Sequence, residues 1–334
     1  MGGLTAAELA GIRGRLEAFV DDLFASLPRA DQRARGQCYL RGLMLDGRRK
    51  SIEPMAQRLG EVHYQALHHF VAASPWDWRP VRRRLAEVLC GALSPTAWVV
   101  DDTGFPKDGS CSVGVQRQYS GTLGKTANCQ LGVSVNAVTE HASCPLDWRL
   151  FLPERWDQEA MVTRRAACHL PEGVHHRPKW QLVLDMLDEL AMAAGEQACV
   201  ELIWRRGSRG LQRGRFLALR VRPAGVIPRR LARAADEELP VRWLLAEWPV
   251  GQAKPTKYWL SNLPETTPLV DLVRLARLRW RVEQDYRELK GALGLDHFEG
   301  RGWVGWHHHV TLVSVAHGFL TLERLRSPNL AASA

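Results

Sequence analysis

Arg279, Glu283 and Lys290 stand at spacings that bring all three within roughly 40° of one another if the segment is helical. One acid between two bases is suited to a place where a divalent metal and a phosphate meet. Beside them Leu275, Leu278, Val282, Tyr286 and Leu289 form an apolar stripe, and Asp285 and Glu288 fall on the far side, facing outward. The same pattern also fits a surface charge cluster with i,i+4 pairing. A second acid comes from Ala97-Trp98-Val99-Val100, a strand-like apolar run that ends in Asp101-Asp102-Thr103-Gly104. A strand fixes the backbone of an acid at its end, although Asp and Gly also form turns. Asp102 and Glu283, meeting over a sheet, would offer hard oxygen ligands that select Mg2+ or Mn2+. Two such ions about 3.5–4 Å apart stabilise both oxygens of an in-line displacement at phosphorus. Arg279 and Lys290 would then bind substrate phosphates, and a third carboxylate is needed to seat both ions.

The elements that must position these groups follow from pattern. Residues 5–94 read as helices: Ala7 to Leu27, Asp31 to Leu45, Met55 to Leu59 and Val62 to Ala72. Ser51 is placed to cap the third, with Pro54 in its first turn. The basic run Arg48-Arg49-Lys50 precedes it, and Arg79, Arg82, Arg83 and Arg84 form another basic cluster. Short helices with basic starts are compatible with a DNA-gripping helix-turn-helix, and equally with a solvated scaffold. Beyond Pro95, Cys129 to Thr139 and Pro145 to Leu152 read as further strands, which suggests a mixed sheet. Residues 179–194 form an amphipathic helix. Val200 to Trp204, Phe216 to Val221, Trp243 to Glu247 and Lys257 to Ser261 read as strands. A long helix carries 279–290. A last helix, 305–324, opens with His307-His308-His309, whose three rings cannot share one face, so no metal is expected there.

The whole chain narrows the classes. Its 334 residues suffice for two domains, 46% are hydrophobic, and the formal charge is +9. A basic balance favours a polyanionic partner, nucleic acid first. The seven cysteines are scattered without a C-x-x-C pair, against a disulfide framework or zinc ribbon. No 18-residue apolar stretch predicts a membrane span, and Met1 to Arg15 gives no sign of a signal peptide.

Four stretches then carry a resemblance. Residues 99–107 (VVDDTGFPK), 113–125 (VGVQRQYSGTLGK) with the following Asn-Cys-Gln, and 257–264 (KYWLSNLP) are similar to segments of the IS701 group of the IS4 superfamily of DDE transposases. Arg279-Trp280, Glu283 and Lys290 match that superfamily's Y-x2-R-x3-E-x6-K signature, with Ala276 at the Tyr position. The likeness runs from about residue 35 to 325.

The resemblance implies an α/β, RNase H-like catalytic domain with a mixed sheet flanked by helices over 95–326. It follows an N-terminal helical, DNA-binding domain over 1–94 and precedes a disordered tail over 327–334. It implies metal-dependent DNA cleavage and strand transfer at element ends, with Asp102 and Glu283 as catalytic metal ligands for Mg2+ or Mn2+. Arg279, Lys290, Arg48, Arg49 and Lys50 would contact DNA phosphates. The implied partners are the element's terminal inverted repeats and target DNA, with a homodimer on DNA, no membrane, and a cytoplasmic, nucleoid-associated location.

One departure weighs on activity. The family places its middle acid after the helix equivalent to 179–194, yet no Asp lies between Asp188 and Asp236. Asp185 and Asp188 belong to the preceding helix, and Glu201 lies on an apolar strand. An internal deletion near 195–204 that removed the second aspartate explains this, and the copy is then expected to be catalytically impaired. The alternatives are a non-catalytic DNA binder competing with an intact transposase, or a poorly folded remnant with exposed sheet edges.

Overall fold

The computed structural model describes residues 5–60, 64–120, 123–179, 181–183, 185–186, 189, 216–221, 241–247 and 257–326. By contact density the chain forms two units, residues 1–199 with 281–334, and residues 200–280.

The first unit begins with five helices whose ends are written in local chemistry. α1 (Ala6–Leu23) starts at a capping box: Thr5 Oγ1 accepts from Glu8 N, and Glu8 accepts from Thr5 N at 2.7 Å. α2 (Ala30–Met44) and α3 (Ile52–Leu59) follow, and α3 stops at Gly60, whose φ of 75° favours glycine. Then come α4 (Tyr64–Ala72) and α5 (Trp78–Leu93), the latter capped by Asp77 accepting from Arg79 N at 3.0 Å.

The sheet is built on one long strand. β3 (Lys125–Val138) pairs with β1 (Ala97–Pro106), β2 (Gln116–Ser120) and β4 (Ser143–Phe151). Every one of these ladders is antiparallel. The parallel component of the expected mixed sheet does not appear among the described residues, because hairpins join β2 to β3 and β3 to β4. The strand expected at Val200 to Trp204 lies outside the described residues. A short helix, α6 (Val162–Ala167), follows the sheet, and the next helical stretch begins at Lys179.

The second unit holds an antiparallel meander, β5 (Phe216–Val221), β6 (Arg242–Glu247) and β7 (Lys257–Ser261). After it comes α7 (Leu269–Arg277), tied to β6 by Arg277 donating to Glu247 at 2.5 Å.

α8 (Arg279–Gly291) returns the chain to the first unit, where α9 (Trp303–Arg326) forms the core. Residues 305–319 of α9 are buried on every side. A helix buried all round must satisfy its polar groups within the protein. α9 packs on α2, α4 and α5 as well as on β4, so the N-terminal helices and the sheet share one core. His307, His308 and His309 each find a different set of partners there. His309 meets the Tyr39 hydroxyl at 2.9 Å and the Gly294 carbonyl at 3.1 Å. His308 stacks on Trp76 at 3.7 Å and faces the carbonyls of Val71 and Trp76 at 2.9 and 2.8 Å. His307 stacks on Trp78 at 4.6 Å.

Where β3 meets α9 there is no space to spare. A Cβ on Gly132 would lie 2.8 Å from the Phe105 ring, 3.0 Å from Trp306 and 3.2 Å from Trp148. Gly132→Ala is therefore expected to destabilise by about 1–3 kcal/mol through overpacking. Urea unfolding checks it: the midpoint should fall with the slope unchanged, and an unmoved midpoint contradicts the close approach.

Candidate active site

α8 lies against β1 and β3 by its apolar stripe, with Val282, Tyr286 and Leu289 buried and Glu283 exposed at the edge. Two polar ties fix its placement. The Tyr286 hydroxyl meets Ser134 Oγ at 2.7 Å, and Ser134 accepts from Asn136 Nδ2 at 2.8 Å. Asn136 also donates to the Val99 carbonyl at 3.2 Å, which carries the network onto β1. One end of α8 further along, the Lys290 ammonium donates to the Gly104 carbonyl at 2.8 Å and lies 5.9 Å from the Phe105 ring. Burial holds Lys290 below the usual lysine range. The stripe read from sequence is the packed face, but the hydroxyl of Tyr286 was not legible as a tie. Period alone cannot tell an aromatic that fills space from one whose oxygen finds a partner.

The register decides which face each acid occupies. Asp101 pairs with Ser134 and Asp102 with Val133. Directly opposed residues share a face, and neighbours alternate. Asp101 therefore lies on the Ser134 face, where Tyr286 docks. Burial first, and the nearby Asp101 and Asp102 charges after it, push the Tyr286 hydroxyl up from its ordinary range. Asp102 lies on the opposite face, where its carboxylate accepts from Lys179 Nζ at 2.6 Å. Lys179 also sits 5.5 Å from the Phe151 ring. Asp102 is not at a strand end as expected, since β1 continues through Pro106 against Cys129.

Other expectations need correction. Asp285 and Glu288 do not face outward, because α9 lies along that side of α8. Asp285 is raised to about 7, chiefly by burial, and Glu288 pairs with Arg324 at 2.9 Å. His317 of α9 stands 3.9 Å from both carboxylates. The basic run 48–50 is split: Arg48 and Arg49 are exposed, but Lys50 is only 3% exposed. Its ammonium donates to the Leu45 carbonyl, its backbone N–H donates to His297 Nδ1 at 3.0 Å, and its side chain fills the space beside Gly294. Lys50 thus ties the turn after α2 to the loop after α8. Arg82, read as part of a basic cluster, is buried at the core. Arg279 opens α8 one turn before Glu283.

The frame is an acid pair on β1, which pairs with β3 among the described residues, a helix pinned to β3 by a tyrosine and to β1 by a lysine, and a glutamate at the helix edge. A family model described as DDE superfamily endonuclease matches residues 22–203, more than half of the chain. The chain belongs to the DDE superfamily endonucleases. A second model, described as a transposase DDE domain, matches residues 163–319. A stretch of 114 residues is 36% identical to the "Probable transposase for insertion sequence element IS701" of Microchaete diplosiphon, covering 34% of this chain and 30% of that relative. The match thus spans less than a third of the relative's length. The RNase H-like architecture expected from the resemblance is that of this superfamily's DDE domains, and helix and antiparallel sheet are both present.

As DDE endonucleases are metal enzymes, the donor set matters. Asp101, Asp102 and Glu283 are hard oxygen donors of the right kind for Mg2+ or Mn2+. Among the described residues, however, no group of three His, Cys, Asp or Glu is arranged to hold an ion. The place expected for a middle acid, 195–204, lies outside the described residues. Among the described residues no helix is long and apolar enough to cross a membrane.

Proposed function

We propose that this chain is an insertion-sequence transposase by descent, acting on DNA at element ends, with its chemistry at the β1–α8 junction. The family match carries the reading, and the two ties that hold α8 on β3 and β1 support the place. Glu283 supplies the helix acid. Its partner comes from the Asp101–Asp102 pair. The resemblance assigns Asp102, whereas the register supports Asp101, which lies on the Tyr286 face. Arg279, Lys290, Arg48 and Arg49 supply positive charge for phosphate. A divalent metal would activate water or a 3′-hydroxyl there. Without an aspartate at the middle acid's place the donors fit it only in part.

The same deficit gives the expected outcome. Mg2+- or Mn2+-dependent cleavage of DNA carrying the element's ends should be absent or reduced by a factor of about 10^3 or more relative to an intact relative, the order of effect of losing a key electrostatic group. Robust cleavage that chelator abolishes and Glu283→Gln removes would overturn the impairment. In that event Asp101→Asn and Asp102→Asn decide between the two acids: the ligand's loss abolishes cleavage, and the other's leaves most of it.

A second reading, a DNA binder that competes with an intact transposase, draws on the +9 charge and the exposed Arg48 and Arg49. It requires affinity for element ends that falls steeply with salt. A gel-shift without binding at low salt removes it.

A further inference from the structure

At one end the first unit's sheet narrows to a two-stranded ribbon. Among the described residues β1 stops at Pro106, opposite Cys129, and β4 pairs with β3 only from Leu131 onward. On the Lys125 side of Cys129, β2 and the first residues of β3 therefore run on together, Gln116–Ser120 against Lys125–Cys129. Arg117, Tyr119, Lys125 and Thr126 are exposed there, Tyr119 to 67%, and Asn128 is half-buried.

The register sorts these side chains by face. Arg117 opposes Asn128, and Tyr119 opposes Thr126. Opposed residues share a face, and residues two apart along a strand return to it, so these four lie together. Their face is that of Ser134, and hence of Asp101 and of the docked Tyr286. Gln116, Gln118 and Lys125 take the other face, where Gln118 is turned back onto the sheet, donating to the Cys129 carbonyl at 3.0 Å. No acid occurs between Asp108 and Glu140. Neither Arg117 nor Lys125 is held in an ion pair among the described residues.

That surface selects its partner. Cations with no acid among them favour a polyanion. Arg and Asn carry the forked ends that pair with guanine and adenine in the major groove, and Thr meets bases through its hydroxyl and its methyl. A Tyr hydroxyl reaches phosphate oxygens. The major groove, about 12 Å wide, admits a two-stranded ribbon. Distance along β3 places the contact. Asn128 and Ser134, the partners of Arg117 and Asp101, are six residues apart, or roughly 20 Å. That is about half a turn of duplex.

We propose that the β2–β3 ribbon enters the major groove of duplex DNA, with Arg117, Thr126 and Asn128 at base edges and Tyr119 and Lys125 at flanking phosphates. The proposal rests on the reading of this chain as a DNA-acting protein. It adds a sequence-reading element about half a turn of duplex from the acid pair, on the face that carries Asp101 and separate from the N-terminal helices.

The test uses the full chain and two labelled duplexes, one carrying the element's end and one of equal length with that sequence scrambled. Wild type should prefer the end. Arg117→Ala and Asn128→Ala should each lower that preference about tenfold, the discrimination of one base contact. Lys125→Ala should weaken both duplexes alike and reduce the slope of log affinity against log salt by about one. Thermal melts of all three variants should match wild type. An unchanged preference in Arg117→Ala and Asn128→Ala, or equal binding of both duplexes by wild type, overturns the ribbon as a reader and leaves the DNA reading standing. Loss of self-association in these variants with DNA affinity unmoved also overturns it, in favour of a contact between copies at the β2 edge. No binding of either duplex at low salt overturns the DNA reading and the ribbon's role with it.

Discussion

Arg82→Met will destabilise the first unit by about 3–5 kcal/mol, the usual cost of breaking a buried ion pair by removing one partner. Arg82 is 3% exposed and joins three elements. Its NH1 donates to Asp147 Oδ1 at 2.8 Å and to the Trp148 carbonyl at 2.7 Å, both on β4. Its Nε donates to Thr311 Oγ1 at 2.7 Å, and NH2 donates to the His307 carbonyl at 3.2 Å, both on α9. Burial lowers this guanidinium to about 10, which still leaves it charged at neutral pH. Methionine fills comparable volume but leaves Asp147 with only Arg149 and its neighbour's N–H. Arg82→Lys cannot reproduce the fork and should fall between. Asp147→Asn in the Arg82→Met background should recover part of the loss, since the two act as a pair. Guanidinium unfolding reads all three, and a loss for Arg82→Met below about 1 kcal/mol would mean that the pair is not the joint described.

Much of this architecture was legible because it follows short-range rules. β5 and β7 have the expected bounds, and β6 begins one residue earlier than expected. α3 ends at Leu59, as expected. The apolar stripe of α8 is its packed face. What was not legible depends on partners brought from far along the chain. Arg82 sits in a run of arginines and reads as surface, yet Val81, Leu85 and Leu89 mark the buried side of the same helix. β4 and, more than two hundred residues later, α9 supply the acceptors that make its burial tolerable. Lys50 repeats the pattern, with its partner loop after α8. Asp285 looked outward because helical period cannot show that a second helix will cover that side.

The candidate acids show the same boundary. Pattern put Asp101 and Asp102 on a strand and Glu283 on a helix, where they lie. Which of Asp101 and Asp102 shares a face with α8 is a matter of register, and a shift of one residue exchanges them. The run Val-Val-Asp-Asp does not alternate, so the sequence had no signal with which to choose. Lys179 is likewise a partner that only the folded sheet brings to Asp102.

Acid should unfold the first unit between pH 6.5 and 4, well before carboxylates in general are protonated. His309 and His317 are each lowered to about 4 by burial, and His307 is lowered further. These groups bind fewer protons in the folded state than in the unfolded chain, whose histidines titrate near 6.5. Stability therefore rises with pH across the window and is lost as pH falls through it. His308 is a different case: burial lowers it, but both of its nitrogens face carbonyls, which hold the ring toward its doubly protonated form against that pull, so it adds less to the slope than the other three. Asp285 opposes the others. Raised to about 7 from 3.8, it binds a proton more tightly when folded and contributes stability that grows as pH falls. Three histidines against one carboxyl leave a net uptake of about two protons on unfolding, on the order of 6 kcal/mol by pH 4. That is comparable to the whole stability of a typical domain. Thermal melts from pH 7 to 4 should show a steep fall in Tm. Asp285→Asn removes the opposing group, so its melt should start from a higher Tm at pH 7, fall more steeply with acid, by about one further proton, and approach wild type near pH 4. A flat Tm between pH 6.5 and 4.5, or an Asp285→Asn profile parallel to wild type, would show that these buried rings and this carboxyl are not held in the protonation states that the packing of α8 and α9 requires.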